Sequence, residues 1–342
     1  MKNIRYSKAV DPSKLKGVGL EAFKEAVQQV KTMNEALAPH KGEESNCWVC
    51  GSDNKKVVAS IHGIDFAQCQ ECTHVFQTHI IPYETLANYF ADDEDINVHV
   101  ADGQFEYRVN ELGIPKVDAI LEEMKRLGDD TSNGRWLDCG CGSGDMLYIA
   151  EQRGWTGVGY DVGKAGINIA QKNGLRAHCC DLDEFVEGAF KTEENSELFD
   201  VITAFGYIDV LTDPVEALKK LKSMLRPGGY FCMHQPHFDS ATHDLNIKNP
   251  SQAIRYLNAG QRSSFTRPSI ERFLNDADFE IVFEWRFGLD MYNILANTTL
   301  NNPEFEKTTA YNVLLEKFND FQAIFDEAGR NDTMMVLAKL KS

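Results

Sequence analysis

The chain has 342 residues, 43% hydrophobic and 25% charged, with a formal net charge of −17. This is the composition of a globular protein long enough for a sizeable core and two domains. The charge argues against a nucleic-acid partner, which needs clustered Lys and Arg, and no apolar run reaches the ~18 residues of a membrane span. The opening residues carry no apolar stretch of a signal peptide, so a cytoplasmic protein without membrane contact is expected.

Residues 1–44 read as a helical arm, since Leu20, Phe23, Val27, Val30 and Met33 recur at helical spacing and Pro39 closes the run. Residues 45–82 hold Cys47-x-x-Cys50 and Cys69-x-x-Cys72. Two such knuckles bring four thiolates to one structural zinc ion, each pair within a tight turn. Gly51 and Thr73 follow the knuckles where each turn relaxes, and 57–61 and 64–67 read as strands of a small ribbon. Two unrelated pairs, or a redox pair, is the alternative. Cys139, Cys141, Cys179, Cys180 and Cys232 read as small hydrophobes in a reducing compartment.

Residues 83–130 read as linking helices. One spans 83–90 and ends in the acidic run Asp92, Asp93, Glu94 and Asp95, a solvated loop. Another runs from 103 to 127 on Phe105, Val109, Leu112, Val117, Ile120, Leu121 and Met124, with Gly113 and Pro115 as breakers inside it.

From 131 to 287 strands and helices alternate, which predicts an α/β, Rossmann-like core with a parallel sheet. The strands fall at 136–139, 155–160, 176–180, 199–205 and 230–234, and later ones at 279–287 and 333–339 bring the sheet to seven. The segment 288–330 is largely helical and aromatic, a lid or the interface of a possible homodimer, and 331–342 returns the last strand to the core. No internal repeat occurs.

The first strand ends in Asp138-Cys-Gly140-Cys-Gly142-Ser-Gly144-Asp145. Glycines between strand and helix let a nucleotide approach the backbone and the helix N-terminus. A dinucleotide fingerprint would place its last glycine at 145, where this chain has Asp145. Asp161 ends the second strand, where a carboxylate can accept from both ribose hydroxyls. Asp181 ends the third, where it can accept from an adenine amino group while the Leu182 N–H reaches a ring nitrogen. Helix N-capping is the alternative for both.

The set 137–144, 157–161, 199–203, Asp213-Pro214 and 225–229, in this order, resembles class I S-adenosylmethionine-dependent methyltransferases. The resemblance implies S-adenosylmethionine as cofactor, with Asp138 ordering the loop and the methionyl end, Gly140, Gly142 and Gly144 forming the cradle, and Phe205 touching the cofactor. Phe66-Ala-Gln-Cys69, Phe76, Pro82 and the segment 287–292 narrow it to bacterial methyltransferases with an N-terminal zinc ribbon and a catalytic domain like the ubiquinone-biosynthesis methylases. That group implies a small-metabolite acceptor such as a sugar or natural product. Where its members carry an acidic residue and then His, this chain has Asp209 and Val210, and Val210 exchanges no proton.

A hydroxyl or carbon acceptor needs a general base. The richest candidates are His234, His237, Asp239, His243 and Asp244, with His237 and His234 foremost as proton acceptors; Tyr207 is placed to touch cofactor or substrate, and Tyr107 and Arg108 to cap the methionyl group. The reading is a small-molecule methyltransferase; the alternative is a cofactor-binding, zinc-ribbon interaction protein without turnover.

Overall fold

Twelve strands form two sheets in the computed structural model, which describes residues 2–92, 104–192 and 198–341. They are β1 (Asn3–Tyr6), β2 (Lys55–Ile61), β3 (Ile64–Cys69), β4 (Val75–Gln77), β5 (Arg135–Cys139), β6 (Thr156–Asp161), β7 (Ala177–Cys179), β8 (Phe199–Phe205), β9 (Leu225–Pro236), β10 (Ser263–Ser264), β11 (Phe279–Phe287) and β12 (Thr333–Leu340). The large sheet runs β1-β11-β12-β9-β8-β5-β6-β7. Only β12 is antiparallel to its neighbours. The chain steps outward from β5 to β6 and β7, then returns to β8 on the other side, so the switch point lies between β5 and β8. Ligands of such sheets bind beyond the carboxyl ends of the strands at that point.

Alternate residues face opposite layers, as strand pleating requires. Leu137, Ile202, Phe231, Met233, Met334 and Val336 pack on one face with Leu218, Leu221, Ile270 and Phe273 of the helices Pro214–Met224 and Arg267–Asn275. Trp136, Val201, Tyr230, Cys232, Met335 and Leu337 pack on the other with Val117, Ile120, Met124, Leu147 and Ile149. Both faces are covered, and this explains why these strands read as nearly continuous apolar runs.

Four features depart from the sequence reading. The arm opens with a strand: β1 adds an eighth, parallel strand beside β11, and helices Pro12–Lys16 and Leu20–Leu37 follow. Four residues at a half-exposed edge carry no periodicity to announce this. Gly113 and Pro115 do not break the long helix, because the turn Arg108–Gly113 widens to π geometry and the Ile114 N–H bonds to Val109 O. The wider turn relieves the clash between a proline ring and the preceding carbonyls. The ribbon sheet, β10-β4-β3-β2, takes its fourth strand from beyond β9. Cys179 is exposed rather than packed as a hydrophobe. Of the acidic run, Asp93, Glu94 and Asp95 lie outside the described residues.

The aromatic segment 288–330 packs on the arm. Tyr292, Tyr311 and Phe318 share a cluster with Phe23 and Ile254, and the Tyr292 and Phe23 rings meet edge to face at 5.4 Å. Those rings are committed within the chain. No helix among the described residues is long and apolar enough to cross a membrane.

Candidate cofactor site and metal centre

The loop after β5 is built on glycine conformations. Gly140, Gly142 and Gly144 take φ of 68°, 52° and 82°, a region closed to most side chains. A β-carbon at Gly140 would lie 2.9 Å from Tyr207 Cδ2, and one at Gly144 2.5 Å from Leu175 Cδ1; at Gly142 it would meet nothing within 4 Å. The outer glycines thus serve the protein's own packing, whereas the middle one borders open space that a ligand can enter.

Asp161 ties this loop to the end of β6. Its Oδ2 accepts from the Gly142 N–H at 2.9 Å and its Oδ1 from the Gly163 N–H at 2.6 Å. Asp138 is 3% exposed and accepts from Thr203 Oγ1 at 2.6 Å. Burial pushes its carboxyl up to about 7, against the Thr203 bond that favours the charge. Asp181 is an N-cap: its Oδ1 accepts from the Glu184 N–H at 2.9 Å, and its own N–H donates to Glu184 Oε2 at 3.1 Å. That capping box leaves Oδ2 uncommitted, and Leu182 is the first residue of the short helix that follows.

Phe205 ends β8 with the Lys116 ammonium 5.0 Å from its ring centre and the His234 ring at 5.8 Å. Tyr207 accepts from the Tyr160 hydroxyl at 3.0 Å, and burial raises its pKa far above the usual phenol value. Arg108 pairs with Asp145 at 3.3 Å, beside the glycine loop, while Tyr107 lies one residue earlier on the same helix. These residues gather around the ends of β5, β6 and β8.

The residues from 234 to 244 are held by different partners, although His237 Nε2 lies 4.0 Å from Asp239 Oδ2. His234 is in β9, its ring stacked on Phe287 at 5.3 Å and its Nε2 without a hydrogen bond. Burial, and then the charges of Lys116, Lys8 and Arg255, hold its pKa well below the usual imidazole value. His237 is fully buried with Nδ1 2.9 Å from Asn331 O, so that nitrogen carries the proton; burial lowers its pKa as well. His243 is fixed between Ser240 Oγ (2.8 Å) and Ser264 Oγ (3.2 Å) and burial lowers it to about 3, a structural role. Asp244 is exposed. Val210 sits in the short turn Ile208–Val210 beside Asp209, whose fully buried carboxyl is pushed up to about 7.

Sequence reasoning passed over Lys8, Lys16, Lys116 and Arg255. Burial lowers Lys116 to about 7 and Lys8 to about 8, while Lys16 is exposed at the end of its helix. Isolated cations far apart in the chain have no local signal; only a lysine in the first turn of a helix, as at 116, hints at a purpose other than helix stability.

The four cysteine sulfurs lie within 4.8 Å of one another, with Cys47–Cys72 at 3.4 Å and Cys50–Cys69 at 3.5 Å. Tetrahedral zinc with Zn–S of about 2.3 Å spaces its sulfurs by roughly 3.8 Å, so the cluster fits that ion. Gly51 and Thr73 take φ of 74° and 64° and close the knuckles, the Gly51 N–H on Cys47 O and the Thr73 N–H on Cys69 O. The Glu71 N–H also points at Cys69 Sγ (3.4 Å), as amides do around thiolates.

Fold and glycine loop together define an α/β enzyme core that binds a nucleotide-type cofactor. A family model described as a methyltransferase domain matches residues 115–284. The chain is similar to the ubiquinone biosynthesis O-methyltransferase of Pseudomonas fluorescens (strain Pf0-1), 32% identical over 200 residues, 58% of this chain and 80% of that protein. It is also similar to that of Aliivibrio fischeri (strain MJ11), 26% identical over 174 residues, 49% of this chain and 70% of that protein. Among solved structures it is similar to magnesium protoporphyrin IX methyltransferase (ChlM) from Synechocystis PCC 6803 with bound SAH, at 13% identity and TM-score 0.46, covering 75% of this chain and 100% of that one. The chain belongs to the class I S-adenosylmethionine-dependent methyltransferases.

Proposed function

We propose that this methyltransferase acts on a small metabolite, a sugar or natural-product intermediate, in a cytoplasmic biosynthetic route. The observation that carries the cofactor side is the Asp161 carboxylate bonded to Gly142 beside the open space at that glycine. S-adenosylmethionine, when bound, supplies an activated methyl group for in-line displacement by the acceptor. Asp161 keeps lone pairs for the ribose hydroxyls, since two hydrogen bonds leave a carboxylate further acceptor sites. Asp181 Oδ2 and the Leu182 N–H address the adenine, Phe205 borders the sulfonium end, and Asp138, with Tyr107 and Arg108, faces the methionyl end.

His234 takes the acceptor's proton: its depressed pKa keeps the ring neutral at physiological pH, and its Nε2 is unpaired. Tyr207, held as a neutral phenol, orients the acceptor. Zinc in the cysteine cluster is structural. Any homodimer through 288–330 would use Val313 and Ile324, which are 47% and 60% exposed.

Val210 favours a second reading, a cofactor-binding interaction protein without turnover. Methyl transfer from labelled S-adenosylmethionine across a panel of hydroxylated sugars, phenols and amines separates the two. Turnover with any acceptor supports the enzyme. Tight S-adenosylhomocysteine binding with no turnover across the panel supports the interaction protein.

A further inference from the structure

The N-terminal segment does more than add a strand. The Ser7 N–H donates to Arg286 O at 2.8 Å and Trp285 Nε1 donates to Ser7 O at 2.9 Å, continuing the β1–β11 pairing past Tyr6. Lys8 is thereby held at the same sheet end as Phe287, whose ring stacks on His234. Farther on, Val10 and Val18 pack against the cluster of Ile254, Met291 and Tyr292, which brings Lys16, the last residue of its helix, into the field of Arg255. Lys116 reaches the same region from the opposite layer, over the Phe205 ring.

We propose that the methyl acceptor is an anion, its carboxylate or phosphate bound at the carboxyl ends of β8, β9 and β11 by Lys8 and Lys16 of the N-terminal segment with Lys116 and Arg255 of the core. This rests on the methyltransferase reading and adds the acceptor's chemical class to it. Lys8 is only 9% exposed, and neither it nor Lys16 nor Lys116 makes a hydrogen bond or ion pair among the described residues. Lys16 is exposed at the end of its helix, where an anion can reach it.

The groups crowd one another. Beyond burial, Lys8 acts on Lys116, Arg255 acts on Lys16, and Lys116, Lys8 and Arg255 all act on His234. The nearby acids offer little relief. Asp145 is paired with Arg108, Asp332 lies 3.0 Å from Arg255, and Glu111 is exposed. A chain of net charge −17 thus gathers three cations around one histidine, of which Lys8 and Lys116 have no ion pair among the described residues while Arg255 is held by Asp332. Buried charge without a partner is costly, and an anion entering this low-dielectric space would supply the missing partner. Lys116 also acts on Asp138, so it stands between the cofactor's end and this cluster.

The test uses the full chain saturated with S-adenosylhomocysteine, so that the cofactor's own carboxylate site is filled. Inorganic phosphate and succinate are titrated separately by calorimetry. Saturable binding of either is expected; phosphate alone assigns a phosphorylated acceptor and succinate alone a carboxylic acid. Lys8→Gln with Lys16→Gln should weaken the anion about tenfold, the loss of one or two charge-assisted hydrogen bonds, with S-adenosylhomocysteine affinity within about twofold. Lys8→Arg with Lys16→Arg should restore anion binding. Should the paired Gln variant not fold, Lys16→Gln alone, at an exposed position, should weaken the anion measurably. No binding of either probe to the wild type, or wild-type affinity in the Gln variants, overturns the proposal while leaving the methyltransferase reading intact. Failure of S-adenosylhomocysteine itself to bind overturns that reading and this inference with it.

Discussion

The Asp161 carboxylate accepts the Gly142 N–H at 2.9 Å, so one side chain both shapes the glycine loop and marks the end of β6. The loop's open position and its carboxylate are therefore one unit. Its backbone is also held by Gly140 and Cys141, whose N–H groups donate to Tyr160 O at 2.9 and 3.0 Å.

Asp161→Ala removes the partner of Gly142 and of the ribose hydroxyls at once. Affinity for S-adenosylhomocysteine should fall at least about tenfold, since hydrogen bonds to charged groups contribute ~1.5–3 kcal/mol each. Gly142→Ala meets no protein atom within 4 Å but takes on backbone strain at φ 52°, a cost of roughly 1–2 kcal/mol, and it fills the cradle. Calorimetry should show both variants weakened; wild-type affinity in Asp161→Ala would remove it from the site.

Asp138 ties stability to pH. Its folded pKa is raised to about 7 from an ordinary value of 3.8. The folded state therefore holds the proton more tightly, and its contribution is complete below about pH 4 and lost as pH rises through 7. Asp209 and Asp290, pushed up to about 7 and about 8 by burial, act in the same direction. Asp138→Asn keeps an acceptor for Thr203 without the buried charge. It should raise the melting temperature at pH 8 by more than at pH 5, with a gain on the order of 2 kcal/mol at pH 8. Equal shifts at both pH values would show that Asp138 is not the group responsible.

What the sequence made legible was whatever is local. The central strands could be read because both faces are covered and the runs are apolar, whereas β7 is a three-residue edge strand with Cys179 exposed; the glycine loop, Asp161 and the cysteine knuckles could be read because their chemistry depends on spacing within a few residues. What could not be read depends on topology. β1 and β10 have four and two residues, too few for a period, and only the sheet order reveals what they pair with. Lys8, Lys16, Lys116 and Arg255 come from three distant stretches of chain. His243, a site candidate by its neighbours in sequence, turned out to be held between two serines in the interior.

The ribbon should carry about one zinc ion per chain, and removing it should disturb more than the ribbon. Trp48 and Phe76, their ring centres 6.1 Å apart, share a core cluster with Leu218, Leu221 and Phe273, and β4 pairs with β10. Chelation under denaturant-free conditions should lower the melting temperature by roughly 3–4 °C, the shift produced by ~2–3 kcal/mol in a chain of 342 residues. Tryptophan emission should change as Trp48 loses its packing. A metal-free preparation with unchanged melting would mean that the four sulfurs are held by packing alone.

His234 and His237 should separate by role. His237→Ala leaves Asn331 O without its donor inside the core, so it should cost about 2 kcal/mol of stability and show chiefly as a lower melting temperature. His234→Ala should leave S-adenosylhomocysteine affinity nearly unchanged, lower the melting temperature modestly through loss of the ring stacked on Phe287, and reduce kcat by about 100-fold or more, the usual contribution of a general base. The pH profile adds a signature that a structural role would not give. Burial and the three nearby cations depress the His234 pKa, so the rate should rise with pH through a value below 6.5 and be flat at neutrality. That acid limb should be absent in His234→Ala. Full turnover in His234→Ala, together with loss of turnover in well-folded His237→Ala, would move the base to position 237.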